Sequence, residues 1–170
     1  MSHTSRAARR QATAGRRRAS GIYGAIVTAA ILTAAGGLLD TGAMAVAVVI
    51  TLLVYWVAEE YAELLGQQAE QGKPAGHLYV RAELAATWPM VSTSFGPLLV
   101  LVLARISGAS DAAAANIGLG AAIAVLVYHV WSAGHAAHLR GLRLLIATGV
   151  AAALGIVMIL LKNFILVHLH

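Results

Sequence analysis

The sequence predicts an all-α membrane protein, a polytopic bundle of five transmembrane helices, and three observations carry that prediction. Hydrophobic residues make up 59% of the chain and charged residues 11%, with a mean hydropathy of +0.77, which leaves too few polar side chains to cover a soluble globule. Five stretches, at about 21–39, 42–60, 84–104, 112–134 and 144–161, are uncharged or nearly so, and each approaches the ~20 residues a helix needs to cross ~30 Å of hydrocarbon. None alternates polar with apolar residues as barrel strands do, and lipid cannot satisfy open backbone groups, so each stretch reads as a helix.

Residues 1–20 hold Arg6, Arg9, Arg10, Arg16, Arg17 and Arg18 and no acid. With no apolar stripe to bury, they read as a disordered basic arm ahead of a transmembrane domain at 21–170. Such an arm resembles a signal n-region, but no cleavage site follows and four more apolar segments do, so the first segment reads as a retained span. Half of the twelve basic residues sit in this arm, which has no aromatic residue on which a base could stack. Anionic lipid headgroups therefore suit it as a partner, and nucleic acid does not. The chain has no cysteine, which excludes disulfides and thiolate metal sites.

Asp40-Thr41 is too short a connection to allow anything but an antiparallel hairpin of spans one and two, and 106–110 does the same for spans three and four. The six arginines of the arm, Lys73 and Arg81 of the second connection, and Arg140 and Arg143 of the fourth fall on one side, against Arg105 and Lys162 on the other. The positive-inside rule makes the first side cytoplasmic, with the N-terminus in and the C-terminus out. Small residues at four-residue intervals, Ala25, Ala29, Thr33 and Gly37 in span one and Ala114, Gly118 and Ala122 in span four, suit close helix contact within the monomer or in a homodimer.

Chemistry concentrates where span two leaves the membrane. Glu59, Glu63, Gln67 and Glu70 share one helical stripe, and Glu60 lies on a neighbouring one beside Trp56, before Gly72-Lys73-Pro74 breaks the helix. Carboxylates so grouped suit a divalent cation; the alternative is a solvated face in the headgroup belt of Tyr55, Trp56 and Tyr61. Span four ends with His129, His135 and His138, of which His135 and His138 share a face with Trp131. The candidate metal ligands are accordingly Glu59, Glu60, Glu63 and His135. Span three carries Ser92, Thr93 and Ser94 between Pro89 and Pro97. The prolines free the carbonyls of Ala85 and Thr93, so these hydroxyls with His129 form a candidate polar path, or simply a kinked helix. No H-E-x-x-H, G-x-S-x-G or phosphate-loop motif occurs, and an enzyme is not expected.

Three stretches resemble the vacuolar iron transporter family: Arg18 to Ile26 at the entry of its first span, Glu60-Tyr61 with Gln67 at the end of its second, and Leu139 to Leu145 with Ala151 to Ala153 at its last. The resemblance implies a five-span carrier of iron or manganese, with the metal as substrate. Val27 stands where that family's first-span Asp falls, so only Glu60, and more loosely Glu63 and Glu70, carry over. Two readings follow: a divalent-metal transporter with an acidic cytoplasmic mouth, or a small non-transporting protein acting through helix-helix assembly. The Ala-, Gly- and Arg-rich composition points to a bacterial plasma membrane.

Overall fold

The computed structural model describes residues 2–72 and 76–168. Its helices are α1 (Ser2–Ala35), α2 (Thr41–Gln71), α3 (His77–Thr87), α4 (Pro89–Ser92), α5 (Phe95–Ile106), α6 (Asp111–Ala136) and α7 (Leu142–His168), and no strand occurs among the described residues. Five helical segments are long and apolar enough to cross a membrane: Gln11–Ala35, Thr41–Glu70, His77–Ile106, Asp111–Ala136 and Leu142–Leu161. The all-α, five-span fold expected from hydropathy is thus present. The third crossing is broken, with α3, α4 and α5 in series and interruptions at Trp88 and at Thr93-Ser94, as the two prolines require.

One expectation fails. Residues 2–20, expected to belong to a disordered arm, are helical: α1 begins at Ser2 and runs unbroken into the first span. Ala7, Ala8, Gln11, Ala12, Ala14 and the arginines are strong helix formers, and a helix already nucleated by the membrane span extends at little further cost. The missing apolar stripe argued only that the arm had nothing to bury. The break expected after span two begins on schedule, with Gly72 as a left-handed cap at φ 63° whose N–H donates to Gln68 O; Lys73 and Pro74 lie outside the described residues.

The core follows from small residues on α1 and α6. Ala25, Ala29, Ala115 and Ala122 have no exposed surface; Leu32, Met44, Val48, Leu52, Met90 and Leu101 close around Ala29, Ala115 and Ala122, while Ala25 packs in a second cluster with Leu126 and Ala151. Gly118 lets α6 approach Leu101, whose Cβ would lie 2.9 Å from a Cβ at that position. The packing residues expected in Ala25, Ala29 and Gly118 are therefore all used inside one chain. The closest approach is at Gly24, where an added Cβ would sit 2.0 Å from the carbonyl oxygen of Met90. Only glycine permits α1 and α4 to cross there. By contrast α7 lies at the periphery, with Leu145, Ile146, Val150, Ile156, Val157 and Leu160 exposed, as suits a helix solvated by lipid.

At the end of the bundle where α2 begins, Asp111 joins three helices. Its Oδ1 accepts from the Thr41 N–H at 3.0 Å, the Thr41 hydroxyl at 2.6 Å and Arg105 Nε at 3.0 Å. Asp40 caps α2 and Ser110 caps α6 beside it, each accepting a backbone N–H three residues on. These contacts fix the short hairpins and hold the polar helix ends together at the mouth opposite the glutamates.

Candidate functional site at the glutamate mouth

α2 extends about three turns past the apolar part of its span, and α3 folds back along that extension, joined to it by a hydrogen bond from Gln67 Nε2 to the Tyr79 hydroxyl. α1 enters between them. The guanidinium of Arg16 forms an ion pair with Glu63 at 2.8 Å and a second with Glu83. One residue on, Arg17 reaches 3.4 Å from the carbonyl of Ala85, the acceptor that Pro89 leaves without its helical donor. The arm is therefore helical here for a tertiary reason as well as a local one.

Glu60 lies one turn deeper and is only 5% exposed. The Thr87 hydroxyl donates to its Oε1, and the Trp56 indole N–H donates to Thr87 Oγ1 at 3.0 Å. Trp56 and Trp88 meet edge to face with ring centroids 5.2 Å apart and close the site on one side. Thr87 Oγ1 also lies 3.1 Å from the carbonyl of Glu83. A threonine hydroxyl has one proton and two lone pairs, so this site suits either form of the carboxyl group. With Glu60 ionised, Thr87 donates to it. With Glu60 protonated, Glu60 donates to Thr87, which turns its own proton to the Glu83 carbonyl while still accepting from Trp56. No polar atom loses its partner in either arrangement.

Glu59, Glu63, Gln67 and Glu70 line one shallow groove along α2, as their helical spacing predicts. Glu59 is exposed and, among the described residues, has no hydrogen-bond or ion-pair partner. The expected metal set of Glu59, Glu60, Glu63 and His135 is not assembled. Glu63 is held by Arg16, Glu60 by Thr87, and exposed His135 packs its ring on Trp131 with centroids 4.3 Å apart. Among the described residues no group of three or more His, Asp or Glu side chains could hold a metal ion. Helical spacing placed three of these residues near one another along α2, but could not show which of them a distant arginine and threonine already engage.

The candidate polar path is partly drawn together. His129 and Thr93 converge on Gly21, where His129 Cε1 would lie 3.0 Å and Thr93 Oγ1 3.4 Å from an added Cβ. Ser94 is fully buried and donates to Val91 O at 2.7 Å, so it serves its own helix; Ser92 is half-buried. His138 occupies the turn after α6 at φ 57° and is exposed.

Sequence reasoning missed Arg16, Glu83 and Thr87 as members of the site. Thr87 stands one turn after Glu83 in the third crossing, a spacing visible in the sequence, but its meeting with Glu60 depends on how α3 lies along α2. Compared with known proteins, the chain matches no family model, and no curated protein or solved structure is significantly similar to it.

Proposed function

We propose that this chain is a proton-coupled cation carrier whose glutamate mouth opens to the cytoplasm, with Glu60 as the group that binds and releases the proton. The observation that carries this reading is the nearly complete burial of Glu60 beside a hydroxyl that can serve both its charged and its neutral form. An ionisable side chain at the edge of the hydrocarbon is costly, and a site that satisfies it in two protonation states suits a group that cycles between them. Deeper in the bundle, Thr93 and His129 at Gly21 offer the next polar groups on the same interior side of α1.

The cation is a divalent metal such as iron or manganese, as the resemblance to the vacuolar iron transporters implies and as carboxylate oxygens favour. Arg16 stands in for the metal, its guanidinium neutralising Glu63 and Glu83. Loading then requires Arg16 to leave. The assembly reading is less well supported, because Ala25, Ala29 and Gly118 are consumed within the monomer.

Reconstitution of the full chain into liposomes with a metal-sensitive dye and an imposed pH gradient tests the reading. Wild type is expected to admit manganese at a rate that depends on the gradient. Glu60→Gln, which mimics the neutral form permanently, is expected to lose that dependence and about 99% of the flux, the roughly 100-fold effect at the lower end of what a proton-transferring group contributes. Equal gradient-driven flux in wild type and Glu60→Gln would remove Glu60 from this role.

A further inference from the structure

Beside the Glu60 site, but separate from it, a groove of about 490 Å³ opens between α1 and α2 toward the surroundings of the bundle. Its lining includes Ser20 and Tyr23 of α1, Tyr55 and Glu59 of α2, and Met90 of α4. Met90 is buried and reaches the groove because Gly24 allows α4 to press against α1. We infer that this groove binds a lipophilic organic cation, an onium ion carrying an apolar body.

Charge complementarity selects that occupant. Glu59 is the one carboxylate among Glu59, Glu60 and Glu63 that has no hydrogen-bond or ion-pair partner among the described residues, and it lies at the groove. Glu60 lies next to it in the chain and, when ionised, adds to the negative field, while Arg16 is occupied by Glu63 and Glu83. Tyr23 and Tyr55 meet edge to face with centroids 6.1 Å apart, so a cation held by Glu59 can rest against an aromatic face. Apart from Ser20 the remaining wall is apolar, formed by Ala19, Ala58 and Met90, and the Met90 thioether adapts to irregular shapes. A volume of this size accepts a small organic molecule and far exceeds the needs of a bare metal ion. A neutral apolar molecule would leave Glu59 without a counter-ion, and an anion would be repelled. The opening on the flank of the bundle lets the ligand enter along the membrane surface, where amphiphilic cations concentrate.

Equilibrium dialysis of radiolabelled tetraphenylphosphonium against the purified full chain in neutral detergent tests this site, and it needs no turnover, so its outcome is independent of whether protons pass through Glu60. Saturable binding by wild type is expected, weakened about tenfold by Glu59→Gln, and unchanged by Glu70→Gln, which alters a glutamate outside the groove. Tyr55→Leu should weaken binding about threefold whereas Tyr55→Phe keeps it, since the ring face and not the hydroxyl meets the cation. Tyr55 is 47% exposed, so neither change disturbs the core. Triphenylphosphine oxide, similar in shape but neutral, should not compete. Unsaturable uptake, equal binding by wild type and Glu59→Gln, or equal competition by the neutral compound would each overturn the inference.

Discussion

Gly24→Ala is expected to destabilise the bundle by about 3 kcal/mol, at the upper end of what an added methylene costs a packed core. The Cβ would lie 2.0 Å from the Met90 carbonyl oxygen and 2.9 Å from its carbon, and these are backbone atoms that no rotamer change can move. α1 and α4 would have to separate. That shift would disturb the contacts of Ala25 and Ala29 on α1 with the core, and would move Arg16 relative to Glu63 and Glu83. Gly120→Ala is the natural comparison. It too is a mid-helix glycine replaced by alanine, but nothing lies within 4 Å of its added Cβ, so that change should be neutral or stabilise by up to about 1 kcal/mol through better helix propensity. Unfolding titrations in mixed micelles measure both, and a Gly24→Ala protein as stable as wild type would contradict the helix crossing described above.

Arg16→Gln should have the opposite character, a gain. Removing the guanidinium leaves Glu63 and Glu83 without their counter-ion and frees their oxygens for a metal. Because the Arg16 and Glu63 side chains are about 40% exposed, solvent screens their attraction strongly, and the expected gain in manganese affinity is about tenfold, equivalent to roughly 1.4 kcal/mol. Calorimetric titration of the purified proteins measures it, and the gain should disappear in the double variant Arg16→Gln with Glu63→Gln. If Arg16→Gln binds manganese no better than wild type, Arg16 is a structural clasp only and does not stand in for the metal.

The two predictions differ in how far the sequence could have led to them. The spans were legible because lipid imposes a length and a composition on any segment that crosses it, and the α2 extension was legible because Glu59, Glu63, Gln67 and Glu70 keep helical register beyond the apolar run. The importance of Gly24 was not. It depends on where α4 crosses α1, and one glycine in a chain with seventeen carries no mark of that. Arg16 was hidden by the same reasoning that made the arm look disordered, since charge and the absence of an apolar face say nothing about an ion pair with residues 47 and 67 positions away. Glu60 stood out in sequence for its depth, yet its partner Thr87 lies 27 residues on and meets it only because α3 turns back along α2. Local periodicity records which face a residue occupies. It does not record what arrives at that face from elsewhere in the chain.

Under the proposed function α2 crosses the membrane and carries its glutamates into the cytoplasm. The chain has no cysteine of its own, so single cysteines report their side of the membrane without background. Leu38→Cys places one in the exposed α1–α2 turn, and Gln68→Cys places one on the exposed α2 extension. With a membrane-impermeant maleimide, Leu38→Cys should label in intact cells and Gln68→Cys only after permeabilisation. Labelling of Gln68→Cys in intact cells with protection of Leu38→Cys would reverse the orientation, and labelling of both from one side would show that α2 does not cross.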